Sequence, residues 1–121
     1  MNTLENEISQ LSQDFVECQK ILTALGDTNR QYLILEMMKI ENCSGVRVIE
    51  ITERTHLSRP AVSHHLQILK DAGILKMRRE GTKNYYYFDR EQSAIQRLID
   101  ALTKAKAITS MLPDDIDSDE A

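Results

Sequence analysis

Residues 57–75 read LSRPAVSHHLQILKDAGIL, and this stretch decides the fold. Ser58 is a strong N-cap. Pro60 suits a first helical turn, where its missing N–H would be an orphan anyway. Val62, Leu66 and Leu69 recur at helical spacing and define a buried side, which predicts a helix from Ser58 to about Ala72. Gly73 closes it, and Ile74 supplies the apolar contact that accompanies a glycine cap. Pro60, His64 and Gln67 lie opposite the buried side, flanked by Ala61 and Ser63. That outer face is small and polar, with hydrogen-bonding side chains and room to enter a groove about 12 Å wide. The plain alternative is an ordinary exposed helix face, which would more often carry Lys and Glu. Arg59 sharpens the choice. A cation at a helix N-terminus opposes the helix dipole at a cost on the order of a few tenths of a kcal/mol, and the placement makes sense if Arg59 meets a phosphate or a guanine edge.

Upstream of this helix, Ile49–Thr55 fits a short helix, so the two form a helix-turn-helix pair. Downstream, Leu75–Arg79 and Asn84–Phe88 are β-favouring runs around the polar connection Glu80–Lys83, which predicts a hairpin. Lys76, Arg78, Arg79 and Lys83 decorate it. Cations on a β-ribbon beside a groove-reading helix suit phosphates or the minor groove, although they also discourage edge-to-edge sheet association. Tyr85, Tyr86 and Tyr87 are expected to pack the hairpin onto the helices, with one hydroxyl reaching a phosphate.

Charge supports the same reading. The chain of 121 residues carries a net charge of −4, which by itself argues against a polyanion partner. Its distribution reverses the argument, because Arg54–Arg90 contains eight Lys or Arg against three Asp or Glu, a local +5 within a remainder of −9. A basic segment set in an acidic chain is the footprint of a nucleic-acid binder.

Further out, Leu4, Ile8, Leu11, Phe15, Cys18, Leu22 and Leu25 alternate steps of four and three, a heptad seam on one helix suited to pairing with another helix. Gly26 is expected to end that helix in the left-handed conformation. Asp27 or Thr28 caps a second helix bearing Leu33, Ile34, Met37 and Met38. Asn42–Gly45 are turn formers, and Val46–Val48 suggest a short strand. A last helix shows Ile95, Leu98, Ile99, Leu102 and Ala105. After Pro113 the tail DDIDSDEA has little to bury, and disorder is expected. No apolar run approaches the roughly 18–20 residues that cross a bilayer, and the N-terminus does not read as a signal peptide. Two cysteines, Cys18 and Cys43, make no disulfide framework and fit a reducing cytoplasm. No nucleophile–base pair or phosphate-binding glycine loop is present, so an enzyme is not expected.

With these residues in view, the stretches Ala24–Arg30 (ALGDTNR), Leu57–Leu75 and Arg79–Tyr86 (REGTKNYY) closely resemble the ArsR/SmtB family of winged-helix repressors, over roughly Leu22–Leu102. The resemblance implies a mainly α (α+β) winged helix-turn-helix of about five helices with a two-stranded β-hairpin wing. It implies a homodimer built from the first and last helices, with the fourth helix reading double-stranded operator DNA. By that match Ser58, Arg59, Ala61, Ser63 and His64 make base or phosphate contacts, and Arg79, Lys83 and Asn84 lie on the wing. Gln67, on the outer helix face, and Arg78, on the hairpin, complete the expected DNA-binding set. Residues 1–112 are read as one domain. Within it, 1–25 and 91–110 are the dimerisation helices and 47–88 the DNA-binding core, while 113–121 form the acidic tail.

Many members of the family sense metals, and this chain departs from both familiar sites. The third helix reads Val48–Thr52 (VIEIT) where a thiolate site needs Cys-x-Cys. The final helix has Asp100 but no histidine, the last being His65. No metal, cofactor or inducer is therefore assigned. Two alternatives stay open. One is a thiol-based redox-sensing repressor using Cys18 or Cys43, with Cys18 otherwise a small buried apolar residue. The other is a winged-helix protein-interaction module that does not touch DNA, which would want an apolar outer face on the fourth helix.

Overall fold

The computed structural model describes residues 2–40 and 44–113. The expectations for Cys43 and for a disordered acidic tail fall on residues 43 and 114–121, outside that range. Among the described residues the order is α1 (Thr3–Glu17), α2 (Gln19–Leu25), α3 (Thr28–Lys39), α4 (Val48–Arg54), α5 (Arg59–Asp71), β1 (Leu75–Glu80), β2 (Lys83–Phe88) and α6 (Ser93–Met111).

Six helices stand where about five were expected, because the first predicted helix is divided at Cys18 (φ −95°, ψ 5°). The i→i−4 bonding survives on both sides, with Cys18 N donating to Asp14 O at 3.0 Å and Leu22 N to Cys18 O at 2.9 Å. The single departure from helical ψ re-aims the chain. Beyond it the buried positions are Ile21 and Ala24, while Leu22 of the predicted seam is left exposed. The heptad pattern therefore overstates the length of one straight seam.

Gly26 is the second correction. Its φ of −80° is not left-handed. The carbonyls at the end of α2 are met instead by Gly26 and side chains of α3: Gly26 N and Arg30 donate to Thr23 O, Arg30 to Ala24 O, and Gln31 to Leu25 O. With those acceptors satisfied, the helix end does not need the reversed glycine cap. The third correction concerns Val46–Val48. Only Val46 pairs, in one antiparallel bridge to Tyr86 with both bonds at 2.8 Å. Val48 already begins α4, which Glu50 caps by accepting from Arg47 N.

The other local signals act as their chemistry predicts. Asp27 caps α3 through Arg30 N and Ser58 caps α5 through Ala61 N. At the end of α5, Gly73 N donates to Lys70 O and Ile74 N to Leu69 O, both at 3.0 Å. This is the paired bonding of a Schellman turn, with Gly73 at φ +86°. The hairpin pairs Leu75 with Phe88 through Glu80 with Lys83, leaving Gly81 and Thr82 as the turn.

One core joins all of these elements. Leu33, Ile51, Val62, Leu66, Leu69, Ile74 and Leu75 are its most enclosed side chains, with Tyr86 bringing in the hairpin and Ala94, Leu98 and Ala101 bringing in α6. Each fully buried aliphatic side chain contributes about 1.5–3 kcal/mol. The α1–α6 contact is pinned by an ion pair, Lys104 Nζ to Asp14 Oδ2 at 2.8 Å. No helix among the described residues is long and apolar enough to cross a membrane.

Gly73→Ala tests the turn that sets the start of the wing. An alanine there keeps the strained φ and brings its Cβ to 3.2 Å from Ala94 Cβ, so urea unfolding should show a loss of more than about 1 kcal/mol.

Candidate nucleic-acid interface

The exposed side of α5 is built by its buried side. Val62, Leu66 and Leu69 have no exposed surface, which fixes the rotation of the helix. Arg59, Pro60, Ser63, His64 and Gln67 are thereby turned outward, with Ser58 exposed ahead of them and Ala61 partly so. The two ends of that face differ. Gln67 Nε2 donates to Asp71 Oδ1 at 3.0 Å, so the C-terminal end carries an acidic side chain and an amide already bonded to it. The N-terminal half presents Arg59, Ser63 and His64, the set suited to phosphates and base edges.

The hairpin divides its cations between two faces. Register places Arg79 opposite Asn84, on the face that continues Leu75, Met77, Tyr86 and Phe88 toward the core. Arg78 and Lys83 fall on the other face. Arg78 is heavily engaged there: its Nε lies 2.5 Å from Glu80 Oε2, its Nη1 donates to Ser44 O, and its guanidinium stacks 4.7 Å from the centre of the Tyr85 ring. It ties the wing to the chain entering α4. Arg79 and Lys83 are exposed, with Arg79 Nε donating to Gly81 O. Asn84 Oδ1 is buried without a hydrogen-bond partner. Of the three tyrosines, Tyr86 is buried in the core, which pushes its phenol above the ordinary 10.0, with Asp71 adding to the shift.

Arg30 is a residue to which sequence reasoning assigned no role. It is only 8% exposed. Nε donates to Ala24 O at 2.8 Å and Nη2 to Thr23 O at 3.0 Å, while Nη1 stands 3.3 Å from His65 Nδ1. A cation on the last carbonyls of α2 is favoured by charge as well as by hydrogen bonding. One guanidinium thus joins α2, α3 and α5. The sequence signal was available in ALGDTNR: an arginine three residues after an N-cap aspartate.

His65 faces inward from α5. Burial lowers its pKa below the ordinary 6.5, and Arg30 and His64 lower it further against the opposing pull of Asp27. Asp27 is itself held below its ordinary 3.8, chiefly by the main-chain N–H of Arg30.

Cys18 is 3% exposed and lies in the protomer's own core. A disulfide between two copies would require it to leave that core. Among the described residues, no group of three or more His, Cys, Asp or Glu side chains is placed to hold a metal ion.

A capped helix with an outward polar face, preceded by a short helix and followed by a two-stranded ribbon, defines a winged helix-turn-helix regulator. The model of bacterial regulatory proteins of the arsR family matches residues 29–76. An HTH-type transcriptional regulator of Methanocaldococcus jannaschii is 40% identical over 91 residues, covering 74% of this chain and 99% of that protein. The arsenical resistance operon repressor of Staphylococcus aureus is 29% identical over 72 residues, 60% of this chain and 65% of that one. Among solved structures, a homodimeric winged helix-turn-helix DNA-binding domain from Mycobacterium bovis matches with a TM-score of 0.54 at 20% identity, over 94% of this chain and 99% of the other. The chain belongs to the arsR family of bacterial regulators.

Two predictions follow from the Arg30 cluster. Arg30→Ala leaves the buried Ala24 carbonyl without its arginine donor, so denaturant unfolding should register a loss of about 1–3 kcal/mol. Because the folded state depresses the His65 pKa, this group's contribution to stability should be fully present above pH 6.5 and be lost as pH falls through the lowered folded-state value. Asp27 acts in the same direction at more acid pH: its contribution is present above 3.8 and lost as pH falls through its lowered value. Unfolding midpoints measured across this range check both.

Proposed function

We propose that this protein represses transcription by binding a pseudo-palindromic operator as a homodimer, each protomer seating α5 in the major groove. The carrying observation is the outward, small and polar N-terminal half of α5, rigidly aimed by a fully buried opposite side. Arg59, Ser63 and His64 read base edges and phosphates there, with Ser58 and Ala61 close to the backbone of the DNA. Arg79, Lys83 and Asn84 supply wing contacts. Arg78 serves as the wing's anchor, and Gln67, bonded to Asp71, marks the far limit of the reading face. This work takes place in the cytoplasm, where the DNA is.

The dimer reading is supported by apolar side chains left on the outside of the isolated protomer. Ile8 and Val16 on α1, Leu22 on α2, and Ile99, Leu102 and Met111 on α6 are all exposed. The two reading helices of a dimer then enter successive major grooves about 34 Å apart.

The test begins with a duplex that the protein selects from a random-sequence pool. Ser63→Ala and His64→Ala should each weaken binding to it by about 1–3 kcal/mol, roughly 5- to 150-fold. Arg79→Ala and Lys83→Ala should weaken binding to all duplexes more evenly and lower the salt dependence by about one unit of slope each. Unchanged affinity in both α5 variants would refute the groove assignment.

A further inference from the structure

We propose that Arg30 and His65 form a positioning device for the DNA-reading helix, which acidification releases. This rests on the operator-binding reading of α5 and adds how that helix is held and regulated. Arg30 only donates hydrogen bonds, so the Nδ1 of His65, 3.3 Å from Arg30 Nη1, must accept. Neutral His65 with its proton on Nε2 meets that need. A proton on Nδ1 removes the acceptor and sets an imidazolium against a guanidinium.

Arg30 has no cheap way to yield. It is buried, and its other nitrogens are committed to Thr23 O and Ala24 O at the end of α2. The adjustment therefore falls on α5. The groups facing His65 are Arg30 and Asp27 from the start of α3, and His64 from its own helix. Asp27 favours the protonated form but is occupied by the main-chain N–H of Arg30 at 3.0 Å. Burial, the Arg30 guanidinium and the neighbouring His64 oppose the proton, consistent with the lowered titration of this ring. The adjacent His64 points outward on the reading face, so a shift of α5 at His65 is felt at the residue beside it.

His65→Asn separates this device from the general effects of pH. The Oδ1 of asparagine sits close to where Nδ1 stood, accepts from Arg30, and does not titrate. His65→Gln is the second non-titrating acceptor, should the asparagine fold poorly. Affinity for the selected duplex is measured at constant salt between about pH 7.5 and 5.5, each protein normalised to its own value at the higher pH. Wild type should lose about fivefold or more relative to the variant, and superimposable profiles would overturn the proposal.

A DNA-free arm distinguishes the two ways of failing. In ¹H–¹⁵N spectra of the wild-type protein, the Arg30 Nε–H and the backbone amides of Ser63, His64 and Gln67 should shift together with a midpoint below pH 6.5, and they should stay in place in His65→Asn. Absence of that movement in wild type overturns the device even if DNA binds well. The movement without any duplex being bound at any pH overturns the operator reading instead.

Discussion

The guanidinium of Arg30 closes the end of α2, sits in the first turn of α3 and touches α5 through His65. Three helices meet at one buried cation. Its cost of burial is met by two carbonyl acceptors at a helix terminus, Ala24 O and Thr23 O, the latter also accepting from Gly26 N. The same contact explains why Gly26 keeps an ordinary negative φ: the carbonyls a reversed cap would have satisfied are already taken. The placement of α5 thus depends on packing by Val62, Leu66 and Leu69 and on this polar knot behind it.

From that anchor the reading face follows by helical geometry. Successive residues turn by about 100°, so His65 faces inward toward Arg30 while His64 faces outward beside Ser63. One histidine is part of the support and its neighbour part of the surface. The wing repeats the arrangement on a strand, where alternation sends Arg79 to one face and Arg78 to the other. Arg78 spends its donors on Glu80 and Ser44 and stacks on Tyr85, fixing the ribbon against the chain entering α4. A chain with net charge −4 can then present cations at α5 and the wing because its acidic residues lie mostly elsewhere in the sequence.

Much of this was legible in the sequence because the deciding interactions are local. The Ser58 cap, the Val62–Leu66–Leu69 stripe, the Gly73–Ile74 turn and the hairpin each involve residues a few positions apart, and each formed where its pattern placed it. The parts that escaped depend on distance. Arg30 joins Ala24 to His65, and periodicity says nothing about such a link. The break at Cys18 preserves helical hydrogen bonding on both sides, so the apolar repeat ran through it and counted two helices as one. Arg78 looked like its neighbours in a basic hairpin until Ser44 and Glu80 were found beside it. Val46 read as the start of a strand, yet Val48 was claimed by the Glu50-capped helix after a single bridge.

The most direct test of the central claim is chemical-shift mapping of the protein on the duplex it selects. The largest changes are expected on Ser58–His64 of α5 and on Arg79–Asn84 of the wing, with α1 and α6 little affected at constant dimer state. Changes concentrated on α1 and α6, with the amides of Ser63 and His64 unmoved, would contradict it.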